Sequence, residues 1–171
     1  MSVEPFVSGG TASVVATTRG VPGGREAGRR VAVKVTRIDQ VAIAVEDLDA
    51  TLDLYARAFG LRPSSRETIE HDGVEEAMLT VGDVHLQFVA SIRDESPIDR
   101  FLQRRGPGLH HLGIAVSDLE GTLDHLRSEG IELIDEQPRV GGGGHRIAFV
   151  HPRSTGGVLI ELIEDPGEMS S

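Results

Sequence analysis

The stretch that decides the fold is Gln40-Val41-Ala42-Ile43-Ala44-Val45-Glu46-Asp47-Leu48, which returns 71 residues later as His111-Leu112-Gly113-Ile114-Ala115-Val116-Ser117-Asp118-Leu119. A second pair recurs in the same order at a shift of 74, with Val84-His85-Leu86-Gln87-Phe88-Val89 matching Val158-Leu159-Ile160-Glu161-Leu162-Ile163. Two features that recur in order at nearly equal shifts indicate an internal duplication. The chain is therefore predicted to contain two copies of one module.

The first segment of each copy alternates strictly between two kinds of side chain, which predicts a β-strand. One face carries large apolar side chains, and the other carries one polar residue followed by two small ones. The second face consists of Gln40, Ala42 and Ala44 in the first copy and His111, Gly113 and Ala115 in the second. Small neighbours leave open space beside the polar side chain, so we expect this face to line a cleft.

A helix is predicted after each of these strands, with Asp47 and Asp118 at the N-cap positions. The apolar stripes are Leu48, Leu52, Tyr55 and Phe59, ending at Gly60, and Leu119, Leu123 and Leu126, ending at Gly130. Both stripes are typical of core packing. Further strands are predicted around 61–69, 74–81 and 84–90, and around 131–136, 145–150 and 157–163. Each copy is thus strand–helix–strand–strand–strand.

The domain organisation follows from this pattern. Module one covers 36–90, a linker with a short helix covers 91–108, and module two covers 109–165, all in one domain over 36–166. Residues 1–35 are predicted to be a disordered or weakly ordered extension, because the first 30 are rich in Gly, Ser, Thr and Arg without an apolar period. An organelle transit peptide and a start codon placed too early are the alternatives for this segment.

Composition excludes several classes of protein. The chain has 171 residues, no cysteine and no run of 18 apolar residues, which excludes disulfides, thiolate metal sites and a membrane-spanning helix. The net charge is −10, and residues 38–171 carry 11 basic against 25 acidic side chains. An acidic body repels phosphate backbones, so we expect no nucleic-acid partner.

Four polar residues stand in apolar strands at positions that the two shifts make equivalent. Gln40 matches His111, and Gln87 matches Glu161. A single strand glutamine or buried histidine is typical of ordinary structure, whereas an unpaired buried carboxylate is costly. If the modules pair about a pseudo-twofold axis, all four side chains meet in one cleft. Such a set of nitrogen and oxygen donors suits a divalent metal ion.

The repeat resembles the vicinal oxygen chelate (glyoxalase-like) superfamily, and more narrowly the methylmalonyl-CoA epimerase family. The resemblance covers about residues 36–164 and includes Asp72-Gly73-Val74-Glu75-Glu76-Ala77-Met78-Leu79, the tandem His110-His111, and His151-Pro152 followed by Gly157-Val158-Leu159-Ile160-Glu161-Leu162. It implies an α+β fold in which two tandem βαβββ modules form a cupped mixed sheet around a metal cleft.

The resemblance also implies roles for individual residues. The family's metal ligands correspond to Gln40, Gln87, His111 and Glu161, and its two proton-transferring carboxylates correspond to Glu76 and Glu161. This chain departs from the family at Gln40, where histidine is usual. An amide oxygen is a weaker donor than imidazole, so the departure bears on metal affinity.

The implied activity is the metal-dependent epimerisation of (2R)- and (2S)-methylmalonyl-CoA by two bases, through an enolate that the ion stabilises. Co²⁺ is the expected ion, with Zn²⁺, Mn²⁺, Mg²⁺ and Ni²⁺ as alternatives. Two other functions stay open: another enzyme of the same scaffold that acts on a related acyl thioester, and a metal-free protein that binds a small molecule or confers resistance to it.

The remaining expectations concern partners and the substrate's anionic groups. An acyl-CoA is the expected substrate, and we expect a cytoplasmic homodimer without a membrane partner. Arg146 and Arg153 are candidate contacts for substrate anions, and Gly141 to Gly144 form a glycine-rich loop that could approach the substrate closely.

Overall fold

The computed structural model describes residues 33–165, in which the two predicted modules follow one another. The first contains β1 (Val35–Ala44), α1 (Leu48–Phe59), β2 (Ser65–Ile69), β3 (Val74–Val81) and β4 (Val84–Ser91). Helix α2 (Pro97–Arg105) connects it to β5 (Gly108–Val116), α3 (Leu119–Ser128), β6 (Arg139–Val140), β7 (Arg146–Val150) and β8 (Ile160–Glu164). The predicted α+β fold is confirmed. The expectation for the extension over residues 1–35 lies outside the described residues as far as residue 32, and Val35 is already the first residue of β1.

Both repeated helices begin at the predicted aspartates. The Asp47 carboxylate accepts a hydrogen bond of 2.9 Å from the backbone N–H of Ala50, and Asp118 accepts one of the same length from Gly121. Each bond satisfies a donor that the first helical turn leaves without an intrahelical partner. Helix α1 ends at Gly60, whose φ of 71° is the left-handed conformation that glycine adopts easily.

Two details of the sequence prediction are wrong. The strand expected over 131–136 is not formed, because the chain there makes a single bridge from Leu133 to Val150. The apolar side chains of Ile131 and Leu133 pack instead on the core beneath α3. Phe59 is not a core residue: it is the last residue of α1, it is 66% exposed, and its ring lies against Tyr55.

The eight strands form one curled mixed sheet in the order β2-β3-β4-β1-β5-β8-β7-β6. At its centre β1 and β5 run antiparallel, and each pairs on its other side with a parallel strand of its own module, β4 or β8. Each module therefore builds one half of the sheet, and the two halves meet at the first strands of the repeats.

Each repeated helix covers the outer face of its own half of the sheet. Leu48 and Leu52 of α1 pack with Leu79 and Phe88, while Leu119 and Leu123 of α3 pack in a corresponding cluster of the second half. Burial of these apolar side chains is the main force that holds the helices in place. No helix within residues 33–165 is long and apolar enough to cross a membrane.

Candidate active site

The inner face of the curled sheet encloses a cavity of about 430 Å³ to which both modules contribute. Five polar side chains that the sequence singled out line it, and each is buried, with 4–8% of its surface exposed. They are Gln40, Glu76, Gln87, His111 and Glu161. The structure thus brings together all of the residues that were predicted as metal ligands or bases.

The strand register explains why these side chains meet. In the parallel pairs, Ala42 lies opposite Gln87 in the first module and Gly113 lies opposite Glu161 in the second. The central antiparallel pair places Gln40 opposite Gly113 and Ala42 opposite His111. Each polar residue therefore has a small residue beside it on the neighbouring strand, as expected for a duplicated module that pairs with its own copy.

Gly113 is needed for the close approach of one of these side chains. A Cβ atom at this position would lie 2.5 Å from Cγ of Gln40 and 3.0 Å from Cδ1 of Ile163. The corresponding residue of the first module is alanine, so the two halves of the site are not equally crowded. The absence of a side chain at Gly113 gives Gln40 the room to extend toward the other three donors.

The amide nitrogen of Gln40 lies at the centre of the predicted ligand set. Its Nε2 atom is 2.7 Å from Oε2 of Glu161, 3.0 Å from Oε1 of Gln87 and 3.3 Å from Nε2 of His111. The same carboxylate oxygen of Glu161 lies 3.1 Å from His111 Nε2. These contacts satisfy the polar atoms of the buried cluster, and no buried side-chain nitrogen or oxygen in the described part of the chain lacks a hydrogen-bond partner.

The donor set fits a divalent ion in its chemistry. It offers one imidazole nitrogen, one carboxylate and two amide groups, which are the nitrogen and oxygen donors such ions prefer. Across residues 33–165, no three or more His, Cys, Asp or Glu side chains are grouped so that they could hold a metal ion. The donor set at this site contains one histidine and one carboxylate. Its capacity to bind a metal ion therefore depends on the amide oxygens of Gln40 and Gln87.

The carboxyl group of Glu76 lies beside this set and has an unusual proton affinity. Gln87 Nε2 donates a hydrogen bond of 2.7 Å to Glu76 Oε2. Burial raises the pKa of Glu76 to about 7, helped by the charge of Glu67, a hydrogen bond with Glu67 and the charge of Glu161. A carboxyl group that titrates near neutral pH can both accept and return a proton, which is the property a general acid–base needs.

His110 orients its neighbour His111. Their Nδ1 atoms lie 2.9 Å apart, and the ring of Phe101 packs on the edge of His110. Burial and the charge of His111 lower the pKa of His110 to about 4, so its neutral ring can accept a hydrogen bond from the N–H at His111 Nδ1. In the tautomer with the proton on Nδ1, His111 Nε2 faces the cavity with its lone pair, as a metal ligand requires.

Other predicted residues have different surroundings. His85 lines the cavity, and so do Gly141 to Gly143 of the glycine-rich loop that the sequence suggested as a close neighbour of the substrate. Arg146 and Arg153 do not line it. The guanidinium group of Arg146 pairs with Glu120 and Glu164, and Arg153 is exposed and lies 3.8 Å from Glu132. Their role as contacts for substrate anions stays a prediction.

Several residues of the cavity wall were not predicted from the sequence, among them Arg139 and Glu67. Arg139 pairs with Asp72 of the first module and Asp135 of the second, and its guanidinium group lies over the ring of Phe149. Glu67 lies in strand β2 opposite Glu76 and also lines the cavity. Glu67 could have been found from the hairpin, because the turn after Ile69 sets which residues of β2 and β3 face each other.

Comparison with known proteins agrees with this architecture. Residues 39–149 match the model of the glyoxalase/bleomycin resistance protein/dioxygenase superfamily. The chain belongs to this superfamily. Methylmalonyl-CoA epimerase from Mycobacterium tuberculosis is 39% identical in sequence, with a TM-score of 0.74 over 80% of this chain and 92% of that one.

Two further relatives carry the same name. A methylmalonyl-CoA epimerase solved in complex with methylmalonyl-CoA and NH₄⁺ is 34% identical, with a TM-score of 0.75 over 78% of this chain and 97% of that one. The mitochondrial methylmalonyl-CoA epimerase of Dictyostelium discoideum is 31% identical over 77% of this chain and 80% of its own length. These homologues are isomerases by name.

Proposed function

We propose that this chain is a methylmalonyl-CoA epimerase that works by two-base proton transfer. The observation that carries the proposal is the placement of two buried carboxyl groups, Glu76 from the first module and Glu161 from the second, in the wall of one cavity. Inversion at a carbon requires removal of a proton from one face and delivery to the other. Two carboxyl groups on separate halves of a cavity can perform both steps.

Glu76 and Glu161 would exchange roles between the two directions of the reaction. One carboxylate takes the α-proton of the bound thioester, and the other, already protonated, donates to the opposite face of the planar carbon. Glu76 suits this alternation because its pKa of about 7 keeps both protonation states populated near neutral pH. Gln87 holds the Glu76 carboxyl group in place through its hydrogen bond of 2.7 Å.

The side chains proposed to hold a divalent ion are Gln40, Gln87, His111 and Glu161. Co²⁺ is the expected ion. When bound, such an ion would act as a Lewis acid toward the oxygens of the malonyl thioester, where negative charge develops as the α-proton leaves. Gln40 would then present its amide oxygen to the ion instead of the nitrogen that now contacts Glu161. Gln87 already directs its oxygen inward, because its nitrogen is used by Glu76.

A metal-free binding protein is the second candidate function. It is favoured by the hydrogen bonds of Gln40 Nε2, which connect the donor set without an ion. Retention of one equivalent of metal per chain after exhaustive dialysis would favour the epimerase, and its absence together with tight binding of a small molecule would favour the second function.

The proposal is tested directly by proton NMR of the chain with each methylmalonyl-CoA epimer in D₂O, with Co²⁺ added. We expect the α-proton signal to disappear and the other epimer to form with deuterium at that carbon. Ethylmalonyl-CoA run in parallel tests a related acyl thioester as substrate. If neither methylmalonyl-CoA epimer exchanges its α-proton, the proposed function is wrong.

A further inference from the structure

Glu67 faces Glu76 across the β2–β3 pair, and an oxygen of each carboxyl group lies beside Gly142. They differ in access to water: Glu76 is 4% exposed, whereas Glu67 lies at the rim of the cavity as an exposed residue. We infer that Glu67 relays protons between Glu76 and bulk water during epimerisation. This inference rests on the proposed function, and Glu67 acts through Glu76 without contacting the reacting carbon.

A two-base epimerase needs such a route because each turnover leaves its bases in exchanged protonation states. Before a second turnover in the same direction, one base must release a proton and the other must regain one. Glu76 is enclosed by Gln87 on one side, and an acyl group in the cavity would cover its other side. The carboxyl group of Glu67 then provides a path from Glu76 to solvent.

The glycine-rich turn after β6 holds this pair of carboxyl groups together. The backbone N–H of Gly143 donates a hydrogen bond to Oε1 of Glu67. A Cβ atom at Gly142 would lie 2.3 Å from Oε1 of Glu76 and 3.1 Å from Oε1 of Glu67. Both carboxyl oxygens therefore lie against one residue without a side chain, so the second module holds the two groups of the first side by side.

The transfer is a simple exchange of protons. In the outward direction the O–H bond of Glu76 breaks as a new O–H bond forms on the carboxylate of Glu67, and water then takes that proton. The inward direction is the reverse, and water is the only co-reactant. The total charge of Glu67 and Glu76 together is the same before and after the proton passes between them. This transfer therefore moves no net charge out of the cavity wall.

The test is run in D₂O with the epimer whose α-proton Glu76 removes. It measures the ratio of deuterium incorporated into the recovered substrate to the amount of product formed. A proton that leaves Glu76 through Glu67 is replaced by deuterium before it returns to the substrate. We expect this ratio to fall by about fivefold or more in Glu67→Gln, since an amide cannot relay a proton in this way. Glu70→Gln removes an exposed carboxylate of the same hairpin and serves as the matched control, which should keep the wild-type ratio.

A second variant separates proton relay from a loss of positioning. In Glu67→Ala, added formate should raise the exchange ratio in proportion to its concentration. A lowered ratio that formate does not restore would overturn the relay, as would an unchanged ratio in both variants. If the wild-type chain exchanges no α-proton, the proposed function itself is overturned. If the wild type is active and Glu67→Gln keeps the wild-type exchange ratio, only the relay is overturned.

Discussion

Gln87 donates its amide hydrogen to Glu76 over 2.7 Å and so turns its own oxygen toward the centre of the site, where it accepts a hydrogen bond from Gln40. One side chain thereby connects the proposed base of the first module to the proposed ligand set. An amide has distinct donor and acceptor ends, so the contact with Glu76 decides which end faces the other ligands. The proposed proton-transfer group and the proposed metal-binding group are connected through this residue.

Replacement of Glu76 by glutamine is expected to separate chemistry from metal binding. The variant removes a base but leaves all four proposed ligands, so it should keep its Co²⁺ and lose epimerisation by about 10²-fold or more. Steady-state rates and bound metal are measured on the same sample. Glu75→Gln is the control, because Glu75 faces away from the cavity and pairs with Arg66. Equal loss of activity in both variants would contradict a specific role for Glu76.

Replacement of Gln40 by histidine is expected to tighten binding of Co²⁺ or Zn²⁺ by about tenfold or more, because imidazole is the better donor and the competing amide N–H groups are gone. Titration calorimetry measures the affinity, and activity should stay within about a hundredfold of the wild type. If Gln40→His and Gln40→Ala both bind metal as the wild type does, Gln40 is not a ligand.

A methyl group at Gly113 is expected to destabilise the site through Gln40. The added Cβ would approach Gln40 Cγ to 2.5 Å, and such overpacking typically costs about 1–3 kcal/mol of unfolding free energy. Urea unfolding of Gly113→Ala measures the loss. The double variant with Gln40→Ala should recover part of it, and a double variant with strictly additive losses would show that the clash lies elsewhere.

The stability of the metal-free protein is expected to fall between about pH 4.5 and pH 7 because of Glu76. Its pKa is raised from 4.5 to about 7 on folding, so in this interval the folded state binds more protons than the unfolded state. The free energy of unfolding therefore decreases as the pH rises, by an amount on the order of 2–3 kcal/mol from this group.

The measurement is the difference in unfolding free energy between wild type and Glu76→Gln, followed from pH 4 to pH 8. The glutamine side chain does not titrate, so the difference should shift in favour of the variant as the pH increases. A difference that stays constant over this interval would show that Glu76 titrates alike in the folded and unfolded chain.

Much of the site follows from the duplication that the sequence shows. The two shifts that match Gln40 with His111 and Gln87 with Glu161 require these residues to occupy equivalent strand positions, because side chains in a strand alternate with a period of two. Pairing of β1 with β5 then brings both halves to one cavity. The N-cap aspartates and the alternation of the first strands act locally, so the repeated helices and their starts were also predictable.

The tertiary structure alone decided how the polar side chains are used. Contacts between residues far apart in the chain set the direction of the Gln40 amide and place Glu67 opposite Glu76. Such contacts also pair Arg146 with Glu120 and Glu164. Sequence determined that the four matched side chains reach the cavity, because strand periodicity and repetition are local properties. Which atoms they present there is set by packing and hydrogen-bond partners, and these exist only once the two modules have come together.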